Sequence, residues 1–353
     1  MAKNLTELLQ AAREMTASDI HITTGCCVQF RVDGAIVDLD DEILTAGQVF
    51  SLANEILDER TTAILKEDGE VDFAYSFGDV ARLRCNVYME SGKPAIALRV
   101  LPFDIPNVID CKTPKPVVDA VCARQGLVLV TGPTGHGKST TLAALINYLN
   151  DNFKKHIITL EDPVEYVHTK KRCTIHQREV GIDSKSFSNG LRAALRQDPD
   201  VILVGEMRDI ETISTAITAA ETGHLVLATL HTNSAAMTID RIIDAFPSEQ
   251  QEQIRVQLSN VLNCVICQCL VPTIKGRRVA AYEVLVATMA IRNLIRENKT
   301  FQINSSIQTG KRMGMQLMDD YLISLYNEGV ITLDTVLSYG VDIPALKNKL
   351  RIM

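Results

Sequence analysis

Residues 127–149 read LVLVTGPTGHGKSTTLAALINYL, and three kinds of local structure follow one another within them. LVLVT is a short continuous apolar run, the pattern of a strand buried on both faces of a sheet. TLAALINYL carries helical periodicity. Between them GPTGHGKST places glycine at 132, 135 and 137. Glycines at this spacing let the backbone curl so that successive N–H groups point inward, and the helix N-terminus behind them adds a favourable dipole. Strand, glycine loop and helix in this order form a phosphate cradle. Thr134, Gly135, His136, Gly137, Lys138, Ser139 and Thr140 are the expected binding stretch. Lys138 would reach the β- and γ-phosphates as a point charge, and the Ser139 hydroxyl is placed to ligand Mg²⁺. A guanine-reading Asn-Lys-x-Asp is missing, because neither Asn298-Lys299 nor Asn348-Lys349 is followed by Asp at the right place. ATP is therefore the expected nucleotide.

Downstream, IITLE (157–161), VILVGE (201–206) and LVLATL (225–230) repeat the short apolar run, separated by helical segments such as DIETISTAITAAE. Buried strands with helical crossovers predict a parallel sheet covered by helices, an α/β core. Ligands in such sheets lie beyond the carboxyl ends of the strands, so Glu206 and Glu161 should face the crevice of the loop. Many phosphate-loop ATPases carry two successive acids where this chain has Gly205-Glu206. One acid is missing, and Glu161, followed by Asp162 and Glu165, is the candidate to supply it. Glu206 and Glu161 would share water activation and Mg²⁺ organisation, with Glu206 also a candidate metal ligand beside Ser139. His224 precedes LVLATL and His231 follows it; a histidine there either senses the γ-phosphate or is a satisfied structural residue. Arginines stand at 82, 84 and 99 in the N-terminal region and at 192 and 196 on one helix face. Phosphoryl transfer commonly needs such a group from another domain or subunit, whereas any one of them taken alone also fits a solvated surface charge.

The first hundred residues follow a different rule. DIHIT (19–23), VQFRV (28–32), VDFAYSF (71–77), ARLRCNVYM (81–89) and AIALRV (95–100) alternate with the strand period, with helical patterns at 3–14 and 46–66. Asp33-Gly34 marks a hairpin turn. Strands and helices do not alternate one for one, which predicts an α+β domain with a mostly antiparallel sheet. Pro102, Pro106, Pro114 and Pro116 then mark a linker. Expected boundaries are 1–100 for the N-terminal domain, 101–115 for the linker, 116–289 for the ATPase core and 290–353 for a C-terminal region. Beyond about 249 the chain reads as helix almost to its end.

Charge and cysteine content narrow the classes further. A net charge of −7 without a basic tail disfavours a nucleic-acid motor, so no nucleic acid is expected. No apolar run reaches the roughly 18 residues needed to cross a bilayer, and the N-terminus lacks a signal-peptide core. The expectation is a cytoplasmic protein able to dock on a membrane protein from that side. Nine cysteines, an odd number without a regular framework, suit reduced thiols. Cys264 and Cys267 form a CxxC inside the apolar VLNCVICQCLV, where buried packing is the better reading than zinc.

GPTGHGKST, ITLEDPVEYVH, DPDVILVGEMRD and AAETGHLVLATLHTNSA resemble the Walker A, Asp box, Walker B and His box of the secretion ATPase superfamily. AIRNLIRE (290–297) is similar to the C-terminal signature of its pilus-retraction branch. The resemblance implies a RecA-like P-loop core preceded by a PAS-like domain and followed by a helical C-terminal region. It implies a ring-shaped homohexamer that hydrolyses ATP with Mg²⁺. The ring would lie peripheral to the inner membrane at the pilus base, engage the inner-membrane platform protein and the pilin filament machinery, and power retraction and twitching motility. It also implies that Arg82, Arg84 and Arg99 reach the phosphates. By itself AIRNLIRE is an amphipathic helix, with Ile291, Leu294 and Ile295 on one face and Arg292 and Arg296 on another. Two departures stand out: His136 replaces a small residue of the loop, and the four-cysteine motif of extension ATPases is missing. The alternatives are a pilus-extension, secretion or conjugation ATPase, and a nucleotide-dependent assembly module with little turnover.

Overall fold

The computed structural model describes residues 4–32, 34–78, 81–101 and 104–351. The chain forms two compact units. The first runs to Asp104 and takes in the short return Pro163–Val167; the second comprises Ile105–Asp162 and the chain from His168 onward. The sequence offered no sign of that return, which follows directly on Glu161-Asp162.

The first unit is a six-stranded sheet built from β1 (Asp19–Thr23), β2 (Gln29–Val32), β3 (Ala35–Asp38), β4 (Glu70–Phe77), β5 (Ala81–Glu90) and β6 (Lys93–Leu101), in the order β3-β2-β1-β6-β5-β4. Every neighbouring pair is antiparallel. The predicted alternation is visible in β1, where Ile20 and Ile22 are buried between half-buried neighbours. Those inward residues share one core with Leu5, Leu8 and Leu9 of the helix Leu5–Glu14 and with Val49 and Leu52 of the helix Ala46–Asn54. Each helix starts on a side-chain cap, Asn4 and Thr45, which satisfies backbone donors that would otherwise be left over. The hairpin turn expected at Asp33-Gly34 has Asp33 outside the described residues, as is Pro102 of the expected linker; Gly34 has a left-handed φ of 86°.

The second unit carries the loop. β7 (Gly126–Thr131), β8 (His156–Glu161), β9 (Thr174–Glu179), β10 (Val201–Val204), β11 (Leu225–Leu230), β12 (Leu262–Pro272) and β13 (Arg278–Val286) form one sheet in the order β13-β12-β7-β11-β10-β8-β9. All pairs are parallel except β12 with β13. All six residues of β7 are buried, and they divide between two cores. Leu127 and Leu129 face one, Val128 and Val130 the other. Helices therefore cover both faces, as continuous apolar runs require.

One expectation needs correction. The chain beyond 249 is not helical throughout: after the helix Ser248–Val261 it forms the β12–β13 hairpin. A continuous apolar run such as LNCVICQCLV suits a buried helix as well as a buried strand, and only its sheet partners decide. Here β12 finds β7 on one side and β13 on the other. The polar edge strand β9, TIHQRE, was also not anticipated. From Met289 onward the chain is helical, with segments Met289–Arg296, Ile303–Thr309, Met318–Asn327, Leu333–Tyr339 and Ile343–Leu350. No described helix is long and apolar enough to cross a membrane.

Candidate functional site

β7 ends at Thr131 and the helix Lys138–Asn152 begins seven residues later. The turn between them depends on glycine. Gly132, Gly135 and Gly137 have φ of 139°, 78° and 82°, values that a side chain rarely tolerates. Gly137 is the N-cap and offers no side-chain acceptor, so the first-turn N–H groups have no side-chain cap and suit an anion. Lys138 is buried, and its ammonium donates to the carbonyls of Gly132 (2.7 Å) and Pro133 (2.9 Å). The lysine thus braces the loop it belongs to.

Opposite the loop, β11 delivers His231. Its Nδ1 lies 3.4 Å from both Lys138 Nζ and Thr134 Oγ1, and its Nε2 lies 3.6 Å from Glu206 Oε2. An ammonium beside Nδ1 calls for a lone pair there, which places the imidazole proton on Nε2, toward the carboxylate. Glu206 is only 18% exposed and pairs with Arg208 at 2.7 Å. An open pocket of about 1160 Å³ adjoins Glu206 and His231 and continues over Arg208, Asp209, Thr232 and Arg241.

Gly205 has a physical cause. Its N–H donates to the Leu160 carbonyl (2.7 Å), and a Cβ there would press on that oxygen at 3.0 Å and on Glu161 Cα at 3.3 Å. The space a second acid would need is filled by the backbone that carries Glu161. Glu161 in turn accepts from Thr159 Oγ1 (2.7 Å) and Gln177 Nε2 (3.2 Å). Its neighbour in the strand register, Leu160, pairs with Val204 at the end of β10, so both glutamates emerge at the same edge of the sheet.

The remaining candidates stand elsewhere. His224 precedes β11, whose first residue pairs with Gly126 and whose last pairs with Thr131. It therefore stands at the opposite end of the strand from the loop, roughly 20 Å away at the rise of an extended chain. Its Nδ1 lies 3.0 Å from the Ala219 carbonyl at the end of the helix Ile210–Glu221. Within one chain it does not join the cluster. Arg82, Arg84 and Arg99 belong to the first unit. Arg82 donates to the Val164 carbonyl and to Ser76, Arg99 pairs with Asp19 at 2.8 Å, and Arg84 stands directly across from Arg99 in the β5–β6 register. Arg192 pairs with Glu211. Cys264 and Cys267 are fully buried in cores on opposite faces of the sheet. Burial pushes the Cys264 thiol up to about 12 and the Cys267 thiol well above its ordinary range.

Sequence reading missed Gln268. It is 3% exposed on β12, and its amide donates to the His136 carbonyl (2.8 Å) while accepting from Thr141 Oγ1 (2.6 Å). Its only signal was an amide inside an otherwise apolar run.

The family of Type II/IV secretion system proteins matches residues 1–336. The chain belongs to this family. It is 46% identical over 329 residues to the type IV pilus retraction ATPase PilT of Pseudomonas aeruginosa, covering 93% of this chain and 96% of that protein. It is 45% identical over 332 residues to a twitching motility protein of Neisseria gonorrhoeae, covering 94% of this chain and 89% of that one. A crystal structure of the pilus retraction motor PilT with bound ADP superposes with a TM-score of 0.93 at 47% identity, across 98% of this chain and 99% of the other. The second unit holds the RecA-like P-loop core of this family together with the helical C-terminal region.

Proposed function

We propose that this protein is an ATP-hydrolysing motor that powers type IV pilus retraction. The convergence of Lys138, His231 and Glu206 at the carboxyl ends of β7, β10 and β11 carries the reading. The near-full-length likeness to retraction ATPases supports the direction of the work.

ATP would sit on Thr134 to Thr140, with the loop N–H groups and Lys138 on its phosphates. Among the described residues no three His, Cys, Asp or Glu side chains gather to hold a metal. That suits Mg²⁺, which is ordinarily bound by one or two protein groups together with substrate phosphates. The Ser139 hydroxyl and the Glu206 carboxylate would hold the ion, which neutralises charge developing on the phosphates. Glu206, beside His231 and an open pocket, and Glu161, held by Thr159 and Gln177, would share between them the activation of the attacking water. His231 reports the γ-phosphate to the chain beyond β11. Arg84 stands across the strand pair from Arg99, which itself pairs with Asp19. With Arg82 they would supply positive charge to the phosphates in a homohexameric ring, and His224 would act across a subunit boundary. The PAS-like character of the first unit and the platform protein, the pilin filament machinery and the inner-membrane pilus base as its surroundings belong to the same reading. An extension ATPase with a zinc site is disfavoured, because Cys264 and Cys267 point to opposite faces of the sheet.

Phosphate release with Mg²⁺, compared among the wild type, Glu206→Gln and Lys138→Ala, tests the motor. Glu206→Gln should keep nucleotide binding and lose turnover by on the order of a hundredfold. Equal background release from all three would sink the reading. A deletion strain should gain surface pili and lose twitching; loss of pili would mean extension instead.

A further inference from the structure

β12 is longer than the part of β7 it pairs with. The last paired residues are Cys267 and Thr131; there β7 turns away into the glycine loop, while β12 continues to Pro272. The residues of β12 just beyond that point have lost a strand partner and grip the loop instead. Gln268 Nε2 donates to the His136 carbonyl (2.8 Å), and the Leu270 N–H donates to the His136 ring Nδ1 (3.0 Å). The other end of the Gln268 amide accepts from Thr141 Oγ1 (2.6 Å), in the first turn of the helix that follows the loop. The backbone fits as closely: a Cβ at Gly132 would collide with the Gln268 carbonyl, and one at Gly137 would come within 2.8 Å of its Nε2.

Burying an amide in an apolar strand is costly, and a hydrophobic residue of similar shape would fill the space with less penalty. The bonds that offset this cost all go to the loop or to the helix behind it. We propose that Gln268 is a positioning residue for the nucleotide loop, and that with His136 it straps the loop to β12 in its phosphate-receiving shape before nucleotide arrives. This rests on the reading of the loop as the nucleotide site. His136, which departs from the small residue common at that position, serves as the loop's half of the strap. Burial, with Lys138 and Arg278 nearby, lowers the imidazole pKa, so Nδ1 keeps the lone pair that Leu270 needs. Preorganisation of this kind acts on affinity, because an unstrapped loop must be ordered by the ligand itself.

The probe is a fluorescent ADP analogue titrated onto the full chain, with thermal melting of the nucleotide-free protein alongside. Gln268→Glu keeps the acceptor for Thr141, loses the donor and sets a carboxylate against the His136 carbonyl. It should weaken the analogue about tenfold, the effect of losing one well-placed bond of about 1.4 kcal/mol. His136→Ala should weaken it severalfold, and His136→Asn, whose Oδ1 can take the place of Nδ1, should recover most of the loss. Wild-type affinity in a folded Gln268→Glu protein overturns the proposal. So does a lowered melting temperature with unchanged affinity, the mark of a merely structural amide. If Gln268→Glu does not fold, wild-type affinity in His136→Ala, or equal loss in His136→Ala and His136→Asn, overturns it as well. Lys138→Ala separates the two levels. Full affinity there would refute the loop as the nucleotide site, whereas lost affinity there beside intact strap variants would refute the strap alone.

Discussion

Lys138 shows how one side chain carries two duties. Its ammonium donates to the Gly132 and Pro133 carbonyls, so the buried cation is not left without hydrogen-bond partners, an arrangement that would be expensive. Phosphate oxygens would compete for the same donors at the same place. The residue beside Glu206 is governed by space rather than charge. Restoring the usual acid with Gly205→Asp would drive a side chain onto the Leu160 carbonyl, the Glu161 backbone and the Phe187 ring. Overpacking of that kind costs about 1–3 kcal/mol. The variant should melt several degrees lower and release phosphate more slowly, because Glu161 moves. An active enzyme with unchanged melting would show that the site accommodates a second acid. The glutamates, the glycines and the lysine could be named from sequence, since motif spacing and strand ends locate them. Gln268 and Gln177 could not: each acts on a partner on another element. Thr159 acts on Glu161 two residues along the same strand, but a threonine in a strand is ordinary there and does not announce that bond.

At the scale of elements, the AIRNLIRE helix is tied to the helix Ser248–Val261 chiefly by Arg292, with Arg296 making longer contacts to the Ser259 and Asn260 side chains. Arg292 Nη1 donates to the carbonyls of Ser259 and Asn260 at 2.6 Å each, and its Nε donates to Ala287 at 3.0 Å. The Ser259 and Asn260 carbonyls lie at a helix C-terminus, where intrahelical partners run out and a cation is favoured by the dipole. Ile291 and Ile295 bury the adjoining face of the same helix. Arg292→Ala should therefore destabilise the second unit by about 2 kcal/mol, read as a fall in denaturation midpoint. Arg292→Lys should recover only part of it, because an ammonium lacks the planar fork that spans three acceptors. Full recovery by lysine would mean that charge alone matters there. The amphipathic pattern was legible in the sequence; the docking partner of its arginine was not, because residues 259 and 260 acquire their role only where their helix ends.

At the scale of the whole chain, one contribution to the pH response of stability comes from His168, outside the cluster of Lys138, His231 and Glu206. Burial, with Lys171 nearby, brings the His168 pKa down to about 4 from an ordinary 6.5. Above pH 6.5 the ring is neutral in both folded and unfolded chains. As pH falls from 6.5 toward 4 the unfolded chain takes up a proton that the folded chain refuses, and stability drops. At about 1.4 kcal/mol per unit this amounts to roughly 3 kcal/mol. His168→Gln should flatten the denaturation midpoint of the second unit across that interval, and an unaltered slope would assign the loss to other groups. The sequence by itself determined the parallel core, the antiparallel N-terminal sheet and the phosphate loop. Each rests on local periodicity or on glycines whose φ is dictated within a few residues. Only the tertiary structure decided that LNCVICQCLV is a strand, that the backbone of Leu160 and Glu161 occupies the space beside Gly205, and that β12 grips the loop. Those outcomes depend on which strands become neighbours, and neighbours are chosen by burial summed over the whole sheet, a quantity that no short window of sequence contains.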